Sequence, residues 1–177
     1  MLRLALAAVE RQGGRTLLFD GTAIDLPHYV YAAAGQHERA RVLIEAVRRA
    51  DGVIFASPGY HGTLSGHMKN AIDYIEELSG DVRTHLSGRA VGCIATAAGW
   101  QGAVNTLVAL RSVVHALRGW PTPLGAAIST AEPVFDAEGQ CVSTKVSDTV
   151  EQLAAQVMQF AALVRAASRQ EAVSDVA

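Results

Sequence analysis

The chain has 177 residues, which suits one domain able to bury roughly 70% of the surface its unfolded form would expose. Half of the residues are hydrophobic and 18% are charged, with a formal charge of −2 and no block of like charges, which excludes a disordered chain and argues against a nucleic-acid partner. Cys93 and Cys141 are the only cysteines and share no CxxC spacing, so neither a disulfide framework nor a cysteine-built zinc site is expected, and a reducing cytoplasm suits the chain.

Leu2, Leu6 and Val9 mark one helical face opposite Arg3 and Glu10, and Gly13-Gly14 supplies the stop. This apolar start breaks at Glu10-Arg11, short of the ~7 to 15 residues of a signal-peptide core, and no ~18-residue apolar run predicts a membrane span. Arg15 to Asp20 reads as a short strand, because Thr16-Leu-Leu-Phe19 is an apolar run bounded by glycines. A loop with Asp25, Pro27 and two tyrosines follows. Residues 36 to 50 then carry Ala40, Leu43, Ile44 and Val47 at helical spacing, with charged residues around the outside. Asp51-Gly52 turns into Val53-Ile-Phe-Ala56, a continuous apolar run of the kind expected of a parallel strand covered on both faces.

The alternation continues. Met68, Ala71, Ile72 and Ile75 form a helix stripe and Val91 to Ala95 a buried strand. Ala103, Leu107, Leu110, Val114 and Leu117 form another stripe, ended by Gly119, and Leu124 to Ile128 a last short strand. Asp136-Ala-Glu-Gly139 reads as a turn. The closing helix places Val146, Val150, Leu153, Val157, Phe160 and Val164 on one seam, with Asp148 and Glu151 spaced as a capping pair. From Ala167 the chain reads as a loose tail, so residues 1–166 are expected to form one α/β domain and 167–177 a flexible end.

In open parallel sheets the ligand crevice lies beyond the carboxyl ends of the strands, which singles out two loops. The first, Ser57-Pro-Gly-Tyr-His-Gly-Thr-Leu-Ser-Gly66, joins a proline-fixed backbone and three glycines to a flat aromatic. The second, Ala97-Ala-Gly-Trp-Gln-Gly102, sets one large aromatic among small residues. Side by side they could hold the edge of a planar ring.

The stretch SPGYHGTLSGHMKNAIDYI, Ser57 to Ile75, resembles the signature of the NAD(P)H-dependent FMN reductase family, which reads approximately T/S-P-x-Y-x-G-x-x-S/P-G-x-x-K-N-A-I/L-D. The AEPVFDAEGQ segment before the last helix resembles that family's ending. The resemblance implies a three-layer flavodoxin-like fold, a parallel sheet with helices on both faces. It implies that Pro58, Gly59, Tyr60 and His61 lie along the isoalloxazine ring of FMN, while Ala98, Gly99 and Trp100 approach its other edge. It further implies hydride transfer from NAD(P)H to FMN with no protein side chain acting as acid or base, because the cofactors carry the chemistry. The reduced flavin would then serve a partner monooxygenase or a small acceptor. Lys69, Asn70 and Asp73 are expected to serve the fold, bracing the loop or supporting subunit contacts, rather than the flavin.

The family pattern places a first strand and a Gly-Ser-x-Arg type loop before the first helix, where backbone amides hold the FMN phosphate. This sequence starts inside that helix, so the fold is expected to lack its first strand and a gap to open in mid-sheet. Three arrangements would close it: the Thr16 strand slides over to pair with the Val53 strand, another chain fills the gap, or the start lies upstream of Met1, which is the favoured reading. Without the phosphate loop, losing even three charge-assisted hydrogen bonds of ~1.5 to 3 kcal/mol each would cost three or more decades of affinity for FMN.

Plainer roles stand beside these. Tyr60 also suits a half-buried packing aromatic, and Trp100 fits flavin contact and subunit-interface burial equally. His61 and His67 lack a carboxylate at ligand spacing, so no metal is expected; His28, His37, His85 and His115 read as surface or packing residues, and Cys93 as a small apolar filler. Val104, Val108 and Val113 widen the apolar face of the helix after Trp100, which predicts a homodimer or homotetramer. Two further functions compete: a non-catalytic flavin-binding electron carrier and a truncated interaction subunit without flavin.

Overall fold

The alternation of amphipathic helix and apolar strand resolves, in a computed structural model that describes residues 1–31 and 37–174, into a parallel sheet covered by helices on both faces. The elements are α1 (Leu2–Arg11), α2 (Glu38–Arg49), β1 (Gly52–Tyr60), β2 (Thr63–Leu64), α3 (Gly66–Asp73), a 3-10 helix (Tyr74–Leu78), β3 (Ala90–Ala97), α4 (Trp100–Ala116), β4 (Trp120–Pro121), β5 (Ala126–Ser129) and α5 (Thr144–Ser174). Residues 36 and 175–177, at the edges of the expected α2 and tail, lie outside the described residues.

β3 is central. It pairs parallel with β1 from Gly52↔Ala90 to Pro58↔Thr96, and on its other side with β4 and then β5. The strand alternation sorts the core into two halves. Phe55, Val91, Cys93 and Ala95 pack with Leu43 of α2, Ile72 of α3 and Leu110 of α4. Ile54 and Ile94 pack with Ala5 of α1 and with Val150 and Leu153 of α5. Gly92 makes that second layer fit, because a Cβ there would lie 2.5 Å from Leu153 Cδ2.

Arg89 closes the amino-terminal end of the sheet. It is fully buried, and its guanidinium donates to the carbonyls of Arg48 at 2.7 Å, His85 at 2.9 Å and Ala50 at 3.1 Å. Burial pulls its pKa down to about 10, so it stays charged at neutral pH.

Several sequence expectations change. Arg15 to Asp20 is not a strand and does not slide over to β1: among the described residues none of these amides donates to a backbone carbonyl. An isolated strand has no ladder to join, so its apolar pattern alone cannot hold it extended. The loop expected from Ser57 is strand as far as Tyr60, and the loop expected to run to Gly102 ends at Gly99, the N-cap of α4. The strand expected at Leu124 to Ile128 forms as β5 from Ala126 to Ser129, and the two-residue β4 precedes it as an additional strand; between them the Thr122 hydroxyl donates to Leu124 O at 2.7 Å. Asp148 and Glu151 lie inside α5; its first turn is met by the Ser143 hydroxyl, which accepts from the Val146 amide. That helix continues past Ala167 to Ser174. No helix among the described residues is long and apolar enough to cross a membrane.

Candidate functional site

β1 and β3 end side by side, and their parallel register carries the two candidate segments to the same edge of the sheet. β1 turns back into β2 through a two-residue hairpin, with Gly59 opposite Leu64 and Tyr60 opposite Thr63. His61 (φ 52°) and Gly62 (φ 96°) occupy the corner, the left-handed pair that a type I′ turn requires. Glycine adopts that geometry freely; a histidine there carries backbone strain of the sort found in ligand-binding turns.

The base of the hairpin is fastened from inside. The nearly buried Ser57 hydroxyl accepts from the Ser65 amide at 3.0 Å, and the Ser65 hydroxyl caps α3 by accepting from Met68 at 3.1 Å. Gly59 lies flat against α4: a Cβ would stand 2.5 Å from Thr106 Oγ1 and 3.1 Å from the Gly102 carbonyl oxygen. Its third neighbour, 3.4 Å away, is the Ala97 methyl at the end of β3, so the two segments meet here.

The second segment is held by β5. The Thr130 amide donates to Ala97 O at 2.8 Å, and the Ser129 hydroxyl to Ala98 O at 3.4 Å. Gly99 caps α4 with extended backbone, and Trp100 opens the helix with its ring 58% exposed and Lys145 Nζ 5.9 Å from the ring centroid. Tyr60 is 60% exposed. Two aromatic surfaces therefore stand open to solvent at the carboxyl edge, one from each segment.

All seven candidate residues, Pro58, Gly59, Tyr60, His61, Ala98, Gly99 and Trp100, gather at this edge of the sheet. They do not line one cavity. Pro58 and Tyr60 border a groove of about 1810 Å³ that runs down the free side of β1, whereas the other five lie outside its wall. His67 does not join His61, because its Nε2 pairs with Gly21 O at 2.9 Å.

Lys69, Asn70 and Asp73 stay off the site. Lys69 pairs with Asp73 at 2.6 Å along α3. Asn70 donates to the carbonyls of Leu26 and Pro27 and accepts from the Tyr29 amide, bracing the segment before α2 rather than the β1–β2 turn. The residue that sequence reasoning missed is Thr106, fully buried, its hydroxyl without a partner among the described residues, directly under Gly59. A hydroxyl one helical turn after Ala103 on the buried stripe of α4 was the available signal.

Comparison with known proteins places this geometry. The family described as NADPH-dependent FMN reductase matches residues 1–133. The chain is 29% identical over 165 residues to NADPH-dependent FMN reductase ArsH of Shigella flexneri, covering 92% of this chain and 62% of the relative. It is 30% identical over 109 residues to an NAD(P)H-dependent FMN reductase of Pseudomonas aeruginosa, covering 61% and 57%. The chain thus spans about three fifths of the length of these relatives. Among solved structures, the flavoenzyme NAD(P)H:(acceptor) oxidoreductase FerB of Paracoccus denitrificans superposes with a TM-score of 0.68 at 22% identity, over 93% of this chain and 87% of that one. A flavodoxin, WrbA-like protein of Agrobacterium tumefaciens superposes with a TM-score of 0.54 at 21% identity, over 92% and 88%. With a flavodoxin-like sheet, the signature turn at its carboxyl edge and a family match over three quarters of its length, this chain belongs to the NADPH-dependent FMN reductase family.

Proposed function

We propose that this chain acts as an NAD(P)H-dependent FMN reductase, with the flavin ring held between the Pro58 to His61 turn and the Ala98 to Trp100 segment. The observation that carries the reading is Gly59, whose missing side chain lets the turn lie flat on α4 and leaves its outer surface to a planar ligand. The residues present suit a ring: Pro58 has no amide hydrogen, the turn offers backbone groups at its rim, and Tyr60 and Trp100 supply apolar faces. When bound, FMN would accept the hydride that NAD(P)H delivers. The protein's part is to orient and shield, with Ser57 and Ser65 fixing the hairpin and the helix that follows it. A cytoplasmic location and a homodimer or homotetramer belong to the same reading, as does delivery of reduced flavin to a partner monooxygenase or a small acceptor.

The test is a titration of the purified chain with FMN and with riboflavin, followed by NADPH and NADH oxidation at 340 nm with FMN present. Quenching of flavin fluorescence together with nicotinamide oxidation is expected. Quenching without turnover would favour an electron carrier, and neither signal would favour an interaction subunit. The riboflavin arm separates ring contacts from any contribution of the phosphate.

A further inference from the structure

The segments that gather at the candidate site are almost bare of fixed positive charge. Residues 52–68, which carry the turn, and residues 90–110, which carry Trp100, contain no lysine or arginine. Residues 119–164, which run through β4, β5 and most of α5, contain one, Lys145. Glu132, Asp136, Glu138, Asp148 and Glu151 lie on that same stretch, so its balance is negative.

Lys145 does little for the fold. It is exposed, and among the described residues no carboxylate pairs with its ammonium. Lys69, the only other lysine, is by contrast tied to Asp73 at 2.6 Å. Lys145 stands in the first turn of α5, where the helix dipole disfavours a cation and no acidic residue offsets the charge. What holds it is Trp100: Nζ is 5.9 Å from the ring centroid, at the outer reach of a cation–π contact. α5 packs in the layer of α1, whereas the hairpin packs through Leu64 in the layer of α3 and α4. The cation therefore reaches the indole from across the end of the sheet.

From this we infer that Lys145 binds a phosphate of the nicotinamide nucleotide. The inference rests on the flavin reading for what comes to this edge. Hydride transfer needs the nicotinamide ring beside the flavin, so the rest of the dinucleotide must leave along the rim of the same crevice. It takes with it the diphosphate and, in NADPH, the 2′-phosphate. On the segments that form the rim those groups find five carboxylates and one unpaired ammonium. A compact charge with three donors on a flexible stem suits a phosphate that approaches from solvent. A charge-assisted hydrogen bond to a phosphate oxygen is stronger than so long a ring contact, so the ammonium leaves the indole when the phosphate arrives. Trp100 thus parks the cation at the rim and reports its departure.

The test uses the full chain with Trp120→Phe, which leaves Trp100 as the single tryptophan; Trp120 lies at the other end of β3, against Phe160. The probes are 2′,5′-ADP, 5′-ADP and adenosine, titrated to millimolar concentration without flavin. A saturable change in Trp100 emission with a phosphorylated probe, and a much smaller one with adenosine, is expected. Lys145→Met should weaken phosphorylated-probe binding at least tenfold, and Lys145→Arg should stay within threefold of the parent. Lys69→Met, which removes the same charge away from the site, should change nothing. Loss for 2′,5′-ADP alone assigns Lys145 to the 2′-phosphate, and loss for 5′-ADP as well assigns it to a phosphate on the 5′ side; either supports the proposal. No saturable response to a phosphorylated probe, an equal response to adenosine, or undiminished binding by Lys145→Met overturns it. So does weaker FMN binding by Lys145→Met with nucleotide binding intact. Binding that depends on Lys145 in a chain that oxidises no nicotinamide would sink the flavin reading and leave the phosphate site standing, so the two failures are distinguishable.

Discussion

Gly59 is the residue at which fold and site constrain each other most tightly. A methyl group there meets Thr106 Oγ1 at 2.5 Å and the Gly102 carbonyl oxygen at 3.1 Å, so Gly59→Ala must lift the hairpin off α4. We expect a stability loss of about 1 to 3 kcal/mol in urea melts, the usual cost of overpacking, and an FMN affinity at least tenfold weaker. Adding Thr106→Ala should restore part of both, because it removes the nearer obstacle and leaves the carbonyl. Recovery of neither would show that the turn is not positioned through this contact. At this scale the sequence was informative about chemistry and silent about support. The proline, glycine and aromatic of the turn stand out in a linear reading, whereas Thr106 lies 47 positions from Gly59 and enters only through the packing of α4.

Between elements, the brace from α3 to the segment before α2 shows a similar division. Lys69, Asn70 and Asp73 were expected to brace the loop or support subunit contacts; Asn70 instead holds the segment before α2, which was not legible because its hydrogen bonds span more than 40 residues of chain, and Lys69 and Asp73 pair with each other. Asn70 grips Leu26, Pro27 and Tyr29; Tyr74 donates to Pro27 O at 3.0 Å and stacks edge-on against Tyr29 with ring centroids 5.3 Å apart. The Tyr29 phenol donates to Glu77 at 3.0 Å, and burial, with that carboxylate, pushes its pKa up to about 12. The unfolded phenol titrates near 10. The contribution of Tyr29 is therefore complete below about pH 10 and is lost as pH rises toward 12. Urea midpoints measured from pH 8 to pH 11.5 should fall more steeply for the parent chain than for Tyr29→Phe; parallel curves would mean that this hydrogen bond does not persist in solution.

At the scale of the whole molecule, the order of helices and strands and the two-faced burial of β1 and β3 were legible because apolar periodicity is a local property. The status of Arg15 to Asp20 was not, since a strand is defined by its neighbour and the sequence shows only the run itself. Along α4, Trp100, Val104 and Val108 are 58%, 46% and 62% exposed at helical spacing, an apolar stripe outside the core. If the stripe joins two copies, light scattering at micromolar concentration should give a dimer mass that Val108→Glu reduces to a monomer; a monomeric parent chain would refute it. The Arg89 corner bears on the molecule in another way. Its cation is solvated by hydrogen bonds to buried main-chain oxygens, which dissolved ions do not displace, whereas the pairs Arg11 with Glu151 and Arg165 with Asp51 lie open to solvent. In concentrated brine the long carboxy-terminal helix would thus lose its electrostatic ties to α1 and to the start of β1, while the junction of α2 with the foot of the sheet kept its grip.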